Sequence, residues 1–190
     1  MPALPSTRSD TLDDMAQNHE HDPACAVAHG EAPAETSDRT LLVVFASPVA
    51  DFLLRYSADL GYRGLLLEPA TEKAAKASEQ DLAVVTAPPA GLDGGVDVVV
   101  TDHHRPELGP VLCDLLTHPV RWIGVMGNPR HPGPHVQALK DLGVPPDEIA
   151  RVHRPVSLNI GSRTPPEIAL ATLAGLIADR NGRPGGFEFI

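Results

Sequence analysis

Several short segments of this chain combine glycine, arginine, histidine or small polar residues in ways suited to holding an anion. In Gly124-Val125-Met126-Gly127-Asn128-Pro129-Arg130-His131 an apolar run ends on glycine, with Asn128 and Arg130 just beyond. Gly127 frees the backbone, Asn128 can cap a helix, and the Arg130 guanidinium can grip an oxyanion through two parallel bonds. A second loop is Leu158-Asn159-Ile160-Gly161-Ser162-Arg163-Thr164-Pro165-Pro166-Glu167. Thr164 and Glu167 have capping-box spacing, and Pro165 suits the first helical position. Asn159, Gly161 and Arg163 exceed what helix initiation requires and point to a second ligand-facing loop. Thr101-Asp102-His103-His104-Arg105 brings two histidines together, which could hold a phosphate, a pterin edge or a metal. Neighbours in sequence diverge in direction, so His103 and His104 need a further ligand to share one metal.

Two further segments bear on nucleotide chemistry. A dinucleotide fold places G-x-G-x-x-G after its first strand, because glycine allows the tight turn and the close approach of backbone to pyrophosphate. Here that segment reads Ala46-Ser47-Pro48-Val49-Ala50, without glycine. Ser47 can still cap the following helix and the helix N-terminus keeps its partial positive charge, but NAD(P) in the standard mode is disfavoured. Glu68 stands about 20 positions on, where a ribose 2′-hydroxyl would be read; an exposed carboxylate at a strand end is an equal reading. His19, His21, Cys25 and His29 have spacing that could catch a soft metal ion, yet their segment offers no supporting shell. No catalytic triad or metal motif stands out, so no catalytic residue and no metal ligand is assigned.

Strand ends and helix starts must position these residues. Leu41-Leu42-Val43-Val44-Phe45-Ala46 reads as a buried strand, punctuated by Ser47-Pro48. A helix over residues 49–60 follows, with Val49, Phe52, Leu53, Tyr56 and Leu60 on its apolar face and Gly61 beyond its end. Further strands are expected at 64–68, 82–85, 96–101 and 122–126. Helices are expected at 71–80, 108–116, 135–142 and 146–152. A last helix covers 165–179, through Ile168, Leu170, Ala171, Leu173, Leu176 and Ile177. Alternating strands and helices imply right-handed βαβ units and a parallel sheet. The expected fold is an α/β, Rossmann-like three-layer domain with a mainly parallel sheet of about five or six strands. In such sheets ligands bind outside the carboxyl ends of the strands.

Composition agrees. Hydrophobic residues make up 42% of the 190 and aromatics only 4%, so the core must be aliphatic, as buried parallel strands require. Residues 1–39 hold eight acids against two arginines, which leaves −4 of the −10 net charge for the rest. They lack an apolar period and read as a disordered acidic tail; residues 40–182 form the domain and 183–190 a short C-terminal tail. The charge balance excludes nucleic acid and anionic membranes as main partners. Cys25 and Cys113 cannot build a disulfide framework, and Cys113 reads as a buried structural thiol. With no signal peptide and no apolar run near 18 residues, a cytoplasmic protein is expected.

The run Trp122-Ile123-Gly124-Val125-Met126-Gly127, followed by Arg151-Val152-His153-Arg154-Pro155-Val156-Ser157-Leu158-Asn159-Ile160-Gly161-Ser162-Arg163-Thr164-Pro165-Pro166-Glu167-Ile168-Ala169-Leu170, resembles the XdhC/CoxI family. The resemblance extends over roughly residues 41–179 and is to the family's C-terminal Rossmann-like domain. It implies a cofactor-handling chaperone rather than a catalyst: an accessory factor that binds molybdenum cofactor of the molybdopterin type. Such a factor promotes sulfuration of the cofactor with a cysteine desulfurase and delivers it to an apo molybdenum hydroxylase such as xanthine or carbon monoxide dehydrogenase. A homodimer is compatible with it. Cofactor-binding candidates are His103, His104, Gly124, Gly127, Asn128, Arg130, Asn159, Gly161, Arg163 and Thr164. Two alternatives stand beside this reading: an NAD(P)-dependent oxidoreductase, and a non-catalytic docking subunit with a degenerate nucleotide site.

Overall fold

A computed structural model of the protein describes residues 23–33, 38–127, 130–131 and 133–186. The chain divides into an N-terminal unit, Met1–Thr36, and a larger unit, Ser37–Ile190. In the first, a six-residue helix, α1 (Pro23–Ala28), lies within the segment read as tail. Proline starts it, and its last turn is closed by the His29 and Glu31 amides bonding Cys25 and Ala26 carbonyls.

The larger unit is built on six strands: β1 (Arg39–Val44), β2 (Tyr62–Leu67), β3 (Val84–Val85), β4 (Val96–Val100), β5 (Trp122–Val125) and β6 (Val152–His153). Their order is β3-β2-β1-β4-β5-β6, and every neighbouring pair is parallel. The helices are α2 (Pro48–Asp59), α3 (Thr71–Ser78), α4 (Leu108–Leu116), α5 (Pro134–Asp141), α6 (Pro146–Ile149) and α7 (Pro165–Arg180). This is the doubly wound arrangement expected from the alternation of elements.

Both sheet faces are covered because successive side chains point to opposite sides. Leu42, Val44, Val98, Val100, Ile123 and Val125 pack with Leu108, Leu112, Leu115, Leu139 and Ile149, so α4, α5 and α6 cover that face. Leu41, Val43, Leu66, Val99 and Trp122 pack with Ala50, Leu53, Leu54, Leu173 and Leu176 of α2 and α7. In register, Leu42 lies opposite Leu65 and Val98, and residues 41–45 expose no surface. Ser47 caps α2 by accepting from the Ala50 amide at 3.1 Å, with Pro48 in its first turn.

Local differences from the sequence pattern have packing causes. Ala50, Leu53, Leu54 and Ser57 are the buried residues of α2, and the expected Val49, Phe52 and Tyr56 pack on the same core only partly buried. Small residues let the helix lie close to the sheet. Leu60 and Leu170, both counted as core positions from periodicity, are 43% and 57% exposed. The helix expected at 146–152 ends at Ile149, because Val152 and His153 pair with Ile123 and Gly124 as the sheet edge. Cys113 is partly buried against the α4 face rather than fully enclosed.

Gly124 owes its identity to packing. A Cβ there would overlap the Trp122 ring and the Val156 side chain, since Trp122 folds across it and stacks on His153 with 5.2 Å between centroids. Gly124→Ala is expected to destabilise the domain by about 1–3 kcal/mol through overpacking, read as a lower urea midpoint with an unchanged slope.

Candidate functional site

The carboxyl ends of β1, β2, β4 and β5 and the turn before α7 form the edge where this architecture binds ligands, and two regions there differ sharply. The first surrounds the turn after β1. Phe45 takes φ 71°, a left-handed conformation that costs a side-chain-bearing residue roughly 1–2 kcal/mol. The surroundings hold it: its amide donates to the Leu67 carbonyl at 2.9 Å, and its carbonyl accepts from Thr101 Oγ1 at 2.7 Å. Ser47 Oγ donates in turn to Thr101 Oγ1 at 3.0 Å.

Glu68 differs from both sequence readings, for it is neither exposed nor open to a ligand. It exposes no surface. Its Oε2 accepts from the Ala46 amide at 2.9 Å and from Arg105 NH1 at 3.1 Å; Oε1 accepts from the Ala70 amide and Arg105 NH2, each at 2.9 Å. Burial alone would raise its carboxyl pKa, but the bonds from Arg105, Ala46 and Ala70 outweigh burial and hold it below the ordinary value. Arg105 Nε also bonds Glu107 Oε2 at 3.1 Å, and its Cζ lies 4.7 Å from the centroid of the Phe45 ring. The sequence reading missed Arg105, whose only signal is its place after the histidine pair.

The second region lies toward β5 and α7. Gly127, Arg130, Ser157, Asn159, Gly161 and Arg163 line one cleft of about 780 Å³. That volume falls within the ordinary range for small-molecule sites. No carboxylate belongs to the described lining, so Arg130 and Arg163 give it a positive character. Gly127 has φ 151°, and a Cβ on it would run into the Arg154 guanidinium. Gly161 takes φ 71°, a left-handed turn that keeps Asn159 and Arg163 on one loop.

The other nominated residues sit elsewhere. His103 hydrogen-bonds the Met126 main chain, and its ring lies 4.1 Å from that of His104; neither is in the described lining of the cleft. Gly124 is packed inside β5. Thr164 caps α7, with Glu167 Oε2 accepting from the Thr164 amide at 3.1 Å and the Arg163 amide at 2.8 Å. Asn128 lies outside the described residues, as do His19 and His21.

Behind the Gly127 loop the nominated His103 lies near Arg154 and His135, two residues that sequence reasoning missed. His135 is 4% exposed, its Nδ1 has no hydrogen-bond partner among the described residues, and its ring fills the space a Cβ at Gly133 would need. Burial pushes both imidazoles below their ordinary pKa; the charge on Arg154 adds to this in each, and His104 adds further in His103. Among the described residues no group of three His, Cys, Asp or Glu side chains could hold a metal ion, and no helix is long and apolar enough to cross a membrane. A smaller cleft of about 380 Å³ lies at the opposite ends of the strands, beside Asp38, Arg63 and Asp93. Its charges are mixed, and it is away from the edge where this architecture binds ligands.

Strand order and helices on both faces of the parallel sheet define a Rossmann-type domain. The chain belongs to the XdhC Rossmann domain family, whose pattern it matches over residues 41–176. It is 39% identical over 75 residues to the uncharacterised protein YqeB of Escherichia coli strain K12, a match covering 40% of this chain and 14% of YqeB. In structure it resembles a xanthine dehydrogenase from Bacillus halodurans, with TM-score 0.60 and 21% identity, over 80% of this chain and 45% of that one. The chain thus spans less than half the length of either relative.

The two imidazoles give a pH signature. Their folded-state pKa values lie below the unfolded value of about 6.5, so the unfolded chain takes up protons first as pH falls. Their contribution is complete above that value and declines below it. Melting temperature is therefore expected to drop between about pH 7 and pH 5, and a His103→Gln/His135→Gln variant should show a flatter profile over that interval.

Proposed function

We propose that this domain is an accessory factor for a molybdenum hydroxylase and binds molybdenum cofactor in the cleft between the Gly127 and Gly161 loops. One observation supports this above others: five of the ten nominated residues, two of them arginines, line a single basic cleft free of described carboxylates. Membership of the XdhC Rossmann domain family and the likeness to the Bacillus protein agree with it.

The residues fit such a group. Arg130 and Arg163 suit the terminal phosphate of a pterin through charge-assisted bonds. Asn159, Ser157 and Ser162 offer donors and acceptors to the polar edge of a ring system, and the left-handed turns at Gly127 and Gly161 shape the loops around it. When bound, the cofactor would supply the molybdenum centre of the enzyme that receives it. The chain's own task is to bind, orient and release it, with no nucleophile of its own. Ile160, 58% exposed between two cleft residues, gives an apolar point at which the recipient hydroxylase docks. A cysteine desulfurase that sulfurates the cofactor is the second partner in this scheme.

Protein mixed with molybdenum cofactor at micromolar concentration is expected to retain it on gel filtration, alongside a larger family member as positive control. Each of Arg130→Ala and Arg163→Ala should weaken retention by about tenfold or more, the weight of one charged hydrogen bond. A wild-type protein that retains none while the control does would overturn the cofactor reading. Recovery of hydroxylase subunits by an Arg130→Ala/Arg163→Ala variant at wild-type level would show that docking is separable from binding.

A further inference from the structure

In a parallel sheet of this strand order, a dinucleotide lays its pyrophosphate on the amides of the turn after β1, and its ribose hydroxyls on the acid ending β2. In this chain the protein's own groups take those positions. A carboxylate has about four acceptor sites. Glu68 uses them on Ala46, Ala70 and two nitrogens of Arg105. The Ala46 amide, placed to meet a phosphate oxygen, is spent on that same carboxylate. Arg105 reaches across from the loop after β4, over the Phe45 ring. Glu107 holds its remaining side, and only 10% of its side chain is exposed.

We propose that Arg105 acts as a strap sealing the nucleotide subsite at the first turn. The domain therefore rejects adenine nucleotides and dinucleotide forms of its ligand, and accepts a single-phosphate ligand in the β5–α7 cleft. What the cleft accepts rests on the cofactor reading given above; the closure rests on Glu68, Arg105, Phe45 and Ala46 alone. A nucleotide entering here must pull the guanidinium off a fully buried carboxylate. Leaving one member of a buried pair unmatched costs roughly a hundredfold or more in affinity. The seal is thus a determinant of ligand size as well as a structural tie.

Calorimetric titration of the full chain with ADP and with NADH tests the closure directly. Wild-type protein is expected to bind neither more tightly than about 1 mM. Arg105→Ala, shown to be folded by a cooperative melt, should bind ADP at least ten times more tightly than wild type does. If that variant does not fold, Glu68→Gln/Arg105→Met removes the charge pair without stranding a carboxylate and is judged by the same gain. Wild-type binding of ADP or NADH at micromolar concentration overturns the proposal, as does a folded variant with no gain. In a separate arm, wild-type protein should favour the single-phosphate cofactor over its dinucleotide form by tenfold or more; equal retention also overturns it. Should neither pterin form be retained, the cofactor reading falls, and the ADP and NADH results still decide the closure.

Discussion

The central pair of strands, β1 and β4, has no solvent on either side. Residues 41–45 are fully enclosed, and β4 is buried along its whole length. A strand in that position satisfies its main chain only through its two neighbours and its side chains only through helices above and below. Right-handed crossovers then send α2 to one face and α4 to the other. Where the two crossovers part, the chain leaves a crevice at the carboxyl edge of the sheet. The glycine and arginine loops and the Glu68–Arg105 pair lie along that edge, while at the other end of the strands a buried Asp97 is matched by Arg121 and Tyr62.

The edge is used unequally. On the side of β1 and β2, polar groups close upon one another: carboxylate, amides, guanidinium and hydroxyls form a network that is nearly shut to solvent. On the side of β5 and α7, the loops stay apart, and their charges are of one sign. Buried polar groups are stabilising when fully matched and costly when half matched. The closed side therefore lends rigidity to the turn that begins α2. The open side leaves its arginines exposed, which is tolerable at a surface in contact with water.

Much of the fold was legible from the aliphatic runs, since fully buried parallel strands have little freedom in composition. The strand at Val152 was not, because two residues carry no periodicity; only pairing with β5 defines them. Helix faces were misjudged at Leu60 and Leu170, where apolar residues are exposed and small ones such as Ala50 and Ser57 lie inside. At the site, glycine and arginine in short loops marked five residues of the open cleft. Glu68 was read without its partner, for a single sequence does not show that an arginine 37 positions later will reach it. Arg154 and His135 escaped for the same reason: their role depends on packing behind a loop.

Phe45 separates shape from composition. Its backbone holds the bend that glycine normally supplies at this turn, while its ring forms the floor on which a guanidinium rests. The bend of a nucleotide turn is thus present in a chain whose side chains pair with one another around it. Specificity in such a scaffold can change without rebuilding a loop, and two proteins whose chains trace the same curve can differ completely in what they admit.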